Sequence, residues 1–430
     1  MVFILIETFL LRFYDTIDKN FIPIQVKKIF FSVISILCLV FQLIILQHLA
    51  KLNTRAKVNQ SIDIRLMSNV LRISLYVMFG VFGILLFQIF YFNYYNTILL
   101  MSIVGITYGT SSLIVGKTIF SFTSWYKTNH NPIFLIYSVS MAIILLNLIL
   151  TPVIADLILN EKPEKIRQFA GGSMDVSGGK YTFLFILLKF SSVMSFSSVW
   201  LTTAVLMHKT TDRFAKEVRY WVVLSMPLVY FLLAYFAQDI FGTILYPFIS
   251  SDPVFFSLIL STIFIISKPV GGVIFGLLFW RISKLVSFDR TLREYLIISG
   301  YGFLLLFSAN QFTLLVLGPY PPFGAVTVTV LMISAYLILI GIYTSATLVS
   351  ANNELRKFIY QTVTDSRFLN LLGKAEVERE IRKTVDRAMK YTNTSDTFED
   401  VNIELDENDL RKYVENVIVE LKSKKNDKLI

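Results

Sequence analysis

Nine stretches of this sequence stay almost continuously apolar for about the length a helix needs to cross a bilayer, roughly 20 residues for a 30 Å hydrocarbon core. They run from Ile29 to Ala50, Leu71 to Phe92, Thr97 to Phe122, Ile133 to Leu159, Tyr181 to Met207, Val222 to Gln238, Val254 to Trp280, Tyr295 to Asn310 and Ala325 to Ser350. Lipid offers the backbone no hydrogen-bond partner, so only helices and closed barrels can span it. Barrel strands alternate in polarity and are about half as long. The sequence therefore predicts an all-α fold, a polytopic transmembrane helical bundle of about nine spans over residues 29–350. An N-terminal interfacial segment (1–28) precedes it, and a helical cytoplasmic tail (351–430) follows. Composition agrees, with 55% hydrophobic and 16% charged residues against about 45–50% and 25% in soluble domains.

The net charge of +10 belongs to the membrane part. Of 40 basic and 30 acidic side chains, residues 350–430 hold 15 and 16, which leaves 25 and 14 before them. Short cytoplasmic loops collect Lys and Arg, so topology explains this excess and no nucleic-acid partner is expected. The loops carrying Lys51, Arg55, Lys57, Arg65 and Arg72, then Lys209, Arg213, Lys216 and Arg219, then Arg281, Lys284, Arg290 and Arg293 are expected inside. The loops Asn93 to Asn96, Ile240 to Pro253 and Gln311 to Gly324 have no Lys or Arg and are expected outside. This puts the N-terminus outside and the C-terminus in the cytoplasm of a cell-membrane protein. Two basic stretches run against the pattern, one over residues 160–180 and one over the first 28 residues. The apolar run Met1 to Leu11 is too short to span and has neither a basic leader nor an A-x-A site, so it reads as an interfacial or re-entrant piece.

Enzyme signatures are absent. The chain contains no phosphate-loop, G-x-G-x-x-G, H-E-x-x-H or C-x-x-C motif, and it has three His and one Cys. No catalytic residue, metal site or cofactor is expected. His48, His130 and His208 sit at span ends or in a loop, and Cys38 lies in an apolar run as a small hydrophobe.

Charges inside spans are the informative residues. Lys268 follows Ser267 and precedes Pro269, Val270, Gly271 and Gly272. It lies about 21 Å along the helix from Val254, near the midplane. A central ammonium costs about 2.5–3.5 kcal/mol even on the lenient insertion scale. Pro269 removes a backbone donor and the two glycines weaken the helix, so a kink or break is expected there. Broken helices at membrane depth line cavities and hold solutes. Lys268, Lys189, Pro269, Gly271 and Gly272 are thus the candidate ligand- or solute-binding residues. The architectural alternative is a Lys neutralised by burial or bonded to freed carbonyls in a purely structural helix. Lys189 lies closer to the outer end, where snorkelling or an ion pair with Asp156 or Asp239 competes with a binding role, and Lys117 reads as snorkelling.

Small residues four apart, Gly105 and Gly109 continued by Ser112 and Gly116, and Gly272 with Gly276, allow close helix approach. Internal packing is the commoner use and a homodimer the other. The outer loop Gly318 to Gly324 is rigid and apolar, a cap or an ordinary turn.

The tail is expected to start as a helix at about Asn353, break at Gly373, and resume with Val377, Ile381, Val385 and Met389 on one face. A last helix carries the apolar stripe Leu410, Tyr413, Val414, Val417, Ile418 and Leu421, the candidate partner-binding surface. Self-packing, a coiled coil forming a homo-oligomer, or docking of a cytosolic protein could each bury it.

Ser267 to Gly272, Pro319 to Gly324, Asn353 to Lys357 and Leu371 to Ile381 resemble segments of a family of uncharacterised multi-spanning membrane proteins from ammonia-oxidising archaea. The likeness covers roughly the last 170 residues. It implies an archaeal cell membrane and supplies no functional residue.

Three function classes remain. A receptor or signal-coupling protein comes first, with the bundle acting on a cytosolic partner through the tail. A transporter or channel for a small, anionic solute, with Lys268 and Lys189 as countercharges, comes second. A structural subunit of a membrane complex comes third.

Overall fold

In the computed structural model, the described residues are 23–55, 62–160, 165–167, 182–210, 218–236, 253–286, 289–310, 320–351 and 367–394. They form ten helices and one two-stranded pairing. The helices are α1 (Ile24–Arg55), α2 (Ile62–Phe92), α3 (Thr97–Asn129), α4 (Pro132–Asn160), α5 (Thr182–Thr210), α6 (Val218–Phe236), α7 (Pro253–Leu285), α8 (Arg290–Ala309), α9 (Gly324–Ala351) and α10 (Arg367–Thr394). Strand β1 (Tyr94–Asn96) pairs antiparallel with β2 (Lys165–Arg167), Tyr95 opposite Ile166. The chain divides into two units, Met1–Glu376 and Val377–Ile430.

Seven helices, α1 to α5, α8 and α9, are long and apolar enough to cross a membrane. The protein is thus a multi-pass helical membrane protein that contacts the lipid bilayer. The two other expected spans fall on α6 and α7. Residues 1–22 of the expected interfacial segment 1–28, most of the outer loops and the stripe from Leu410 to Leu421 lie outside the described residues, and residues 24–28 of that segment belong to α1.

Helices α4 and α5, α7 and α8, and α8 and α9 run antiparallel, and the glycines show how closely. A Cβ on Gly272 would lie 3.0 Å from the Leu304 carbonyl oxygen, and one on Gly276 would lie 2.7 Å from that of Gly300. The backbones of α7 and α8 therefore touch, as the Gly272/Gly276 spacing predicted. The other stripe behaves differently. Gly105, Gly109 and Gly116 of α3 have nothing within 4 Å of their Cβ positions, so the expected internal packing there is corrected to an open face.

Helix α9 is buried over its whole candidate span and touches α1, α2, α3 and α8. Contacts from α3 to α4, α4 to α5, α5 to α7, α7 to α8, α8 to α9 and α9 back to α3 close a ring of six helices.

Both ends of the first unit are pinned by polar contacts. At the leading end, where α1 begins, the Lys28 ammonium donates to Asn93 Oδ1 and lies 5.9 Å from the centre of the Tyr320 ring. The Tyr320 hydroxyl donates to the Ile89 carbonyl (3.0 Å), its ring stacks on Tyr95, and Phe323 meets Phe31 edge-on. Burial raises the phenol pKa of Tyr320 to about 12 and raises that of Tyr95, so both remain proton donors at neutral pH. The described part of the Gly318 to Gly324 loop is thus a seated turn, since Tyr320 and Phe323 belong to the core. At the opposite, tail end, Lys117 pairs with Asp63 in the first turn of α2, where a carboxylate also suits the helix dipole. This ion pair replaces the snorkelling expected of Lys117.

Candidate functional site: a polar node inside the helix ring

Helix α7 runs unbroken from Pro253 through Pro269 to Leu285, so the break expected beside Lys268 is corrected. A helix end lies beside it instead, in its neighbour. Helix α8 stops at Ala309, and its C-cap Asn310 adopts φ −78°, ψ 68°. The Lys268 ammonium donates to the Asn310 carbonyl oxygen at 3.1 Å. Unsatisfied carbonyls and the negative pole of the dipole make a helix C-terminus a natural seat for a cation. Lys268 is therefore compensated by the end of a different helix from the one that carries it.

The side chain of Asn310 extends the node. Its amide donates to Asn147 Oδ1 (2.9 Å), and the Asn147 amide donates to Ser191 Oγ (2.8 Å). Ser191 Oγ donates in turn to the Leu188 carbonyl, and Thr151 Oγ1 donates to the Asn147 carbonyl. Asn147 is 3% exposed and lies about 20 Å along α4 from its end at Asn160. Lys268 lies about 22 Å from the start of α7. Both are half-way along their helices. The Tyr108 hydroxyl of α3 is buried and lies against Thr151. Five of the six ring helices, α3, α4, α5, α7 and α8, thus bring a polar group to one depth.

The sequence-predicted candidates separate. Lys268 is in the node. Gly271 and Gly272 serve packing: a Cβ on Gly271 would fall 2.2 Å from the Phe196 ring, and Gly272 meets Leu304. Pro269 is buried within α7 beside them. Lys189 is exposed beside Ile186 and Phe190 on the outer face of α5, and is not brought to Lys268. Charge alone does not point to Asn147, Asn310, Ser191 or Tyr108. A lone Asn within the apolar run Ile143 to Leu150 was the available signal, since an amide in hydrocarbon also demands partners.

A second joint lies at the tail end. Helix α10 continues through Gly373, where a break was expected. Gly373 is needed for contact, because a Cβ there would fall 2.3 Å from Val349 of α9. Leu369, Leu372 and Ala375 are fully buried in the core cluster. The Trp125 indole of α3 donates to Glu376 Oε2 at 2.6 Å, and Glu376 is 1% exposed. Trp125 also stacks on Tyr343 of α9. The root of the tail helix is thereby held by two ring helices, α3 and α9.

Among the described residues no cluster of His, Cys, Asp or Glu could hold a metal ion. No family model, curated protein or solved structure matches the chain.

Proposed function

We propose that this protein is a receptor or signal-coupling protein, in which a small polar or anionic ligand at the Lys268–Asn310–Asn147 node biases the helix ring and α10 carries the change to a cytosolic partner. One observation carries the reading. The helices that hold the tail root, α3 through Trp125 and α9 through Val349, are both members of the ring that encloses the node. A shift of either helix therefore acts directly on α10. Discrete rearrangement of packed helices is a common way for a small change at one site to be read at another.

On this reading α6 and α7 add two crossings to the seven, and the tail is cytoplasmic. Charge supports that orientation: Lys51, Arg65, Arg72, Lys127, Arg281, Lys284, Arg290 and Arg293 all lie toward the tail end. The resemblance seen in the sequence supports an archaeal cell membrane. Catalysis has no part in this reading.

A second reading, passage of the solute across the membrane, is favoured by the seating of Lys268, half-way along α7, on the terminus of another helix, an arrangement that recurs in solute-carrying bundles. Lys268→Met separates the readings. Hydrogen exchange over 367–394 and solute flux into proteoliposomes are measured on the folded variant. A changed exchange pattern with no flux in either protein supports coupling. Flux that the substitution abolishes supports transport. Neither effect assigns Lys268 to architecture.

A further inference from the structure

Two basic stretches of the sequence, the first 28 residues and residues 160–180, run against the charge pattern of the other loops. The fold brings described parts of both to one three-residue strand. Lys28 of α1 donates to Asn93, the residue before β1. Strand β2 then places Lys165 opposite Asn96 and Arg167 opposite Tyr94. Positions alternate between the two faces of a strand pair. Tyr95, 1% exposed and stacked on Tyr320, marks the core side. The Tyr94/Arg167 and Asn96/Lys165 positions therefore share the opposite face, on which Tyr94 and Asn96 are only partly buried.

The surroundings say what this face meets. The pairing lies at the membrane boundary, because β1 follows directly on the candidate span that ends at Phe92 and β2 follows shortly on the one that ends at Leu159. The last turns of α2 are aromatic and uncovered. Phe87, Phe90, Tyr91 and Phe92 are 46–75% exposed, with Tyr91 stacked on Phe87 and Phe92 set edge-on to both. Exposed rings of this kind gather at the level of lipid headgroups. Carboxylates are scarce here. From Ile64 to Ala155 the sequence has none, and among the described residues Asp156, exposed one turn before the end of α4, is the acidic side chain nearest to β2 along the chain. Lys28 is 1% exposed, so it adds positive charge to this end without adding a contact.

We infer that the outer face of the β1–β2 pairing is a binding site for the phosphate of an anionic lipid headgroup in the leaflet at the leading end. Lys165 and Arg167 are its basic positions, and the rings of α2 sit beside it at the boundary with the acyl chains. Guanidinium matches two phosphate oxygens at once, while an ammonium acts as a point charge. Each basic side chain near an anionic surface contributes roughly a fivefold preference. A lipid fits better than a free anion because the uncovered rings place the bilayer at this level. The inference is independent of the Lys268 node.

The chain has one native cysteine, Cys38, so single reporters are simple to install. In full-length Cys38→Ala protein, Phe90→Cys carries a fluorophore beside the pairing, and Val222→Cys, exposed at the start of α6, carries one near the tail end. Each is reconstituted in phosphatidylcholine vesicles containing doxyl-labelled phosphatidylglycerol or doxyl-labelled phosphatidylcholine, and the ratio of quenching gives the local headgroup preference. At Phe90→Cys the expected preference for phosphatidylglycerol is about fivefold or more. Lys165→Gln with Arg167→Gln brings it below about twofold, whereas Lys165→Arg with Arg167→Lys keeps it. The ratio at Val222→Cys stays unchanged in both. A parent ratio near one, a neutral pair that keeps the preference, a charge-preserving pair that loses it, or an equal fall at Val222→Cys overturns the site. Glu161 and Glu164 precede β2 in the sequence, and Glu161→Gln with Glu164→Gln raises the ratio or leaves it, so a fall also overturns it. Millimolar inorganic phosphate at constant ionic strength leaves the preference in place. Its loss there assigns the site to a free anion and overturns the lipid.

Discussion

The bond from Trp125 to Glu376 is the most exposed point of the coupling argument, because the tail root depends on it. The perturbation is Trp125→Phe, which keeps a ring against Tyr343 and Phe122 but removes the indole donor. Hydrogen bonds to charged groups contribute about 1.5–3 kcal/mol. Glu376 keeps further interactions, so the lower end, about 1.5–2 kcal/mol, applies. At 1.36 kcal/mol per tenfold, local opening of residues 367–376 rises about 10- to 30-fold. Part of any Trp→Phe loss is packing, and the hydrogen bond is isolated by a double-mutant cycle with Glu376→Ala. The assay is hydrogen exchange followed by mass spectrometry on the protein in nanodiscs, reading tail-root peptides against α2 and α4 as references. A coupling energy of about 1.5 kcal/mol confined to the tail root is the expected result. Additivity within about 0.5 kcal/mol refutes the reasoning, since the two side chains would then act independently.

Two further substitutions test the fold. Gly276→Ala brings a methyl to 2.7 Å from the Gly300 carbonyl oxygen, whereas Gly105→Ala meets open space. The first lowers stability in bicelles by about 1–3 kcal/mol, and the second is neutral or stabilising by up to about 1 kcal/mol. An inverted order, read from thermal midpoints, contradicts the assignment of the two small-residue stripes. At the leading end, Asn93 combines a left-handed backbone (φ 55°) with the acceptor for a Lys28 that is 1% exposed. Asn93→Ala costs about 3 kcal/mol and Asn93→Gly about 1 kcal/mol less, since glycine keeps the backbone and loses only the acceptor. Equal losses for the two variants remove the backbone contribution.

The structure also changes what the intramembrane lysines mean. An isolated Lys beside Pro269 predicts an interruption of its own helix. The helix end that receives the ammonium belongs instead to α8, at Asn310, while α7 continues through Pro269 and uses its glycines for packing. The carbonyl of Asn310 and the amides of Asn310 and Asn147 tie α7, α8, α4 and α5 together at that level. An amide can donate on one side while accepting on the other, so it can bridge helices where a lysine alone cannot.

The helices and their membrane character were legible because each is a local property. A run such as Ala325 to Ser350 is apolar whatever surrounds it, and hydrocarbon permits such a run only one backbone solution. The Gly272/Gly276 approach was legible for the same reason. The Gly105 stripe has the same spacing and no neighbour, because spacing sets what a helix face can accept and tertiary packing decides whether anything arrives. Lys268 stood out as an isolated charge and the span from Tyr295 was expected to end at Asn310, where α8 ends, but nothing along the chain shows that these two residues, 42 apart, meet. Asn147 and Asn310, 163 residues apart, and Trp125 and Glu376, 251 apart, meet only once the six-helix ring closes. The sequence by itself determined that the chain forms apolar helices of membrane-spanning length and that one ammonium interrupts such a run. Only the tertiary structure decided which helix ends compensate it and which helices hold the tail, because hydrogen bonds between distant helices depend on depth and azimuth, and the order of residues along one chain specifies neither.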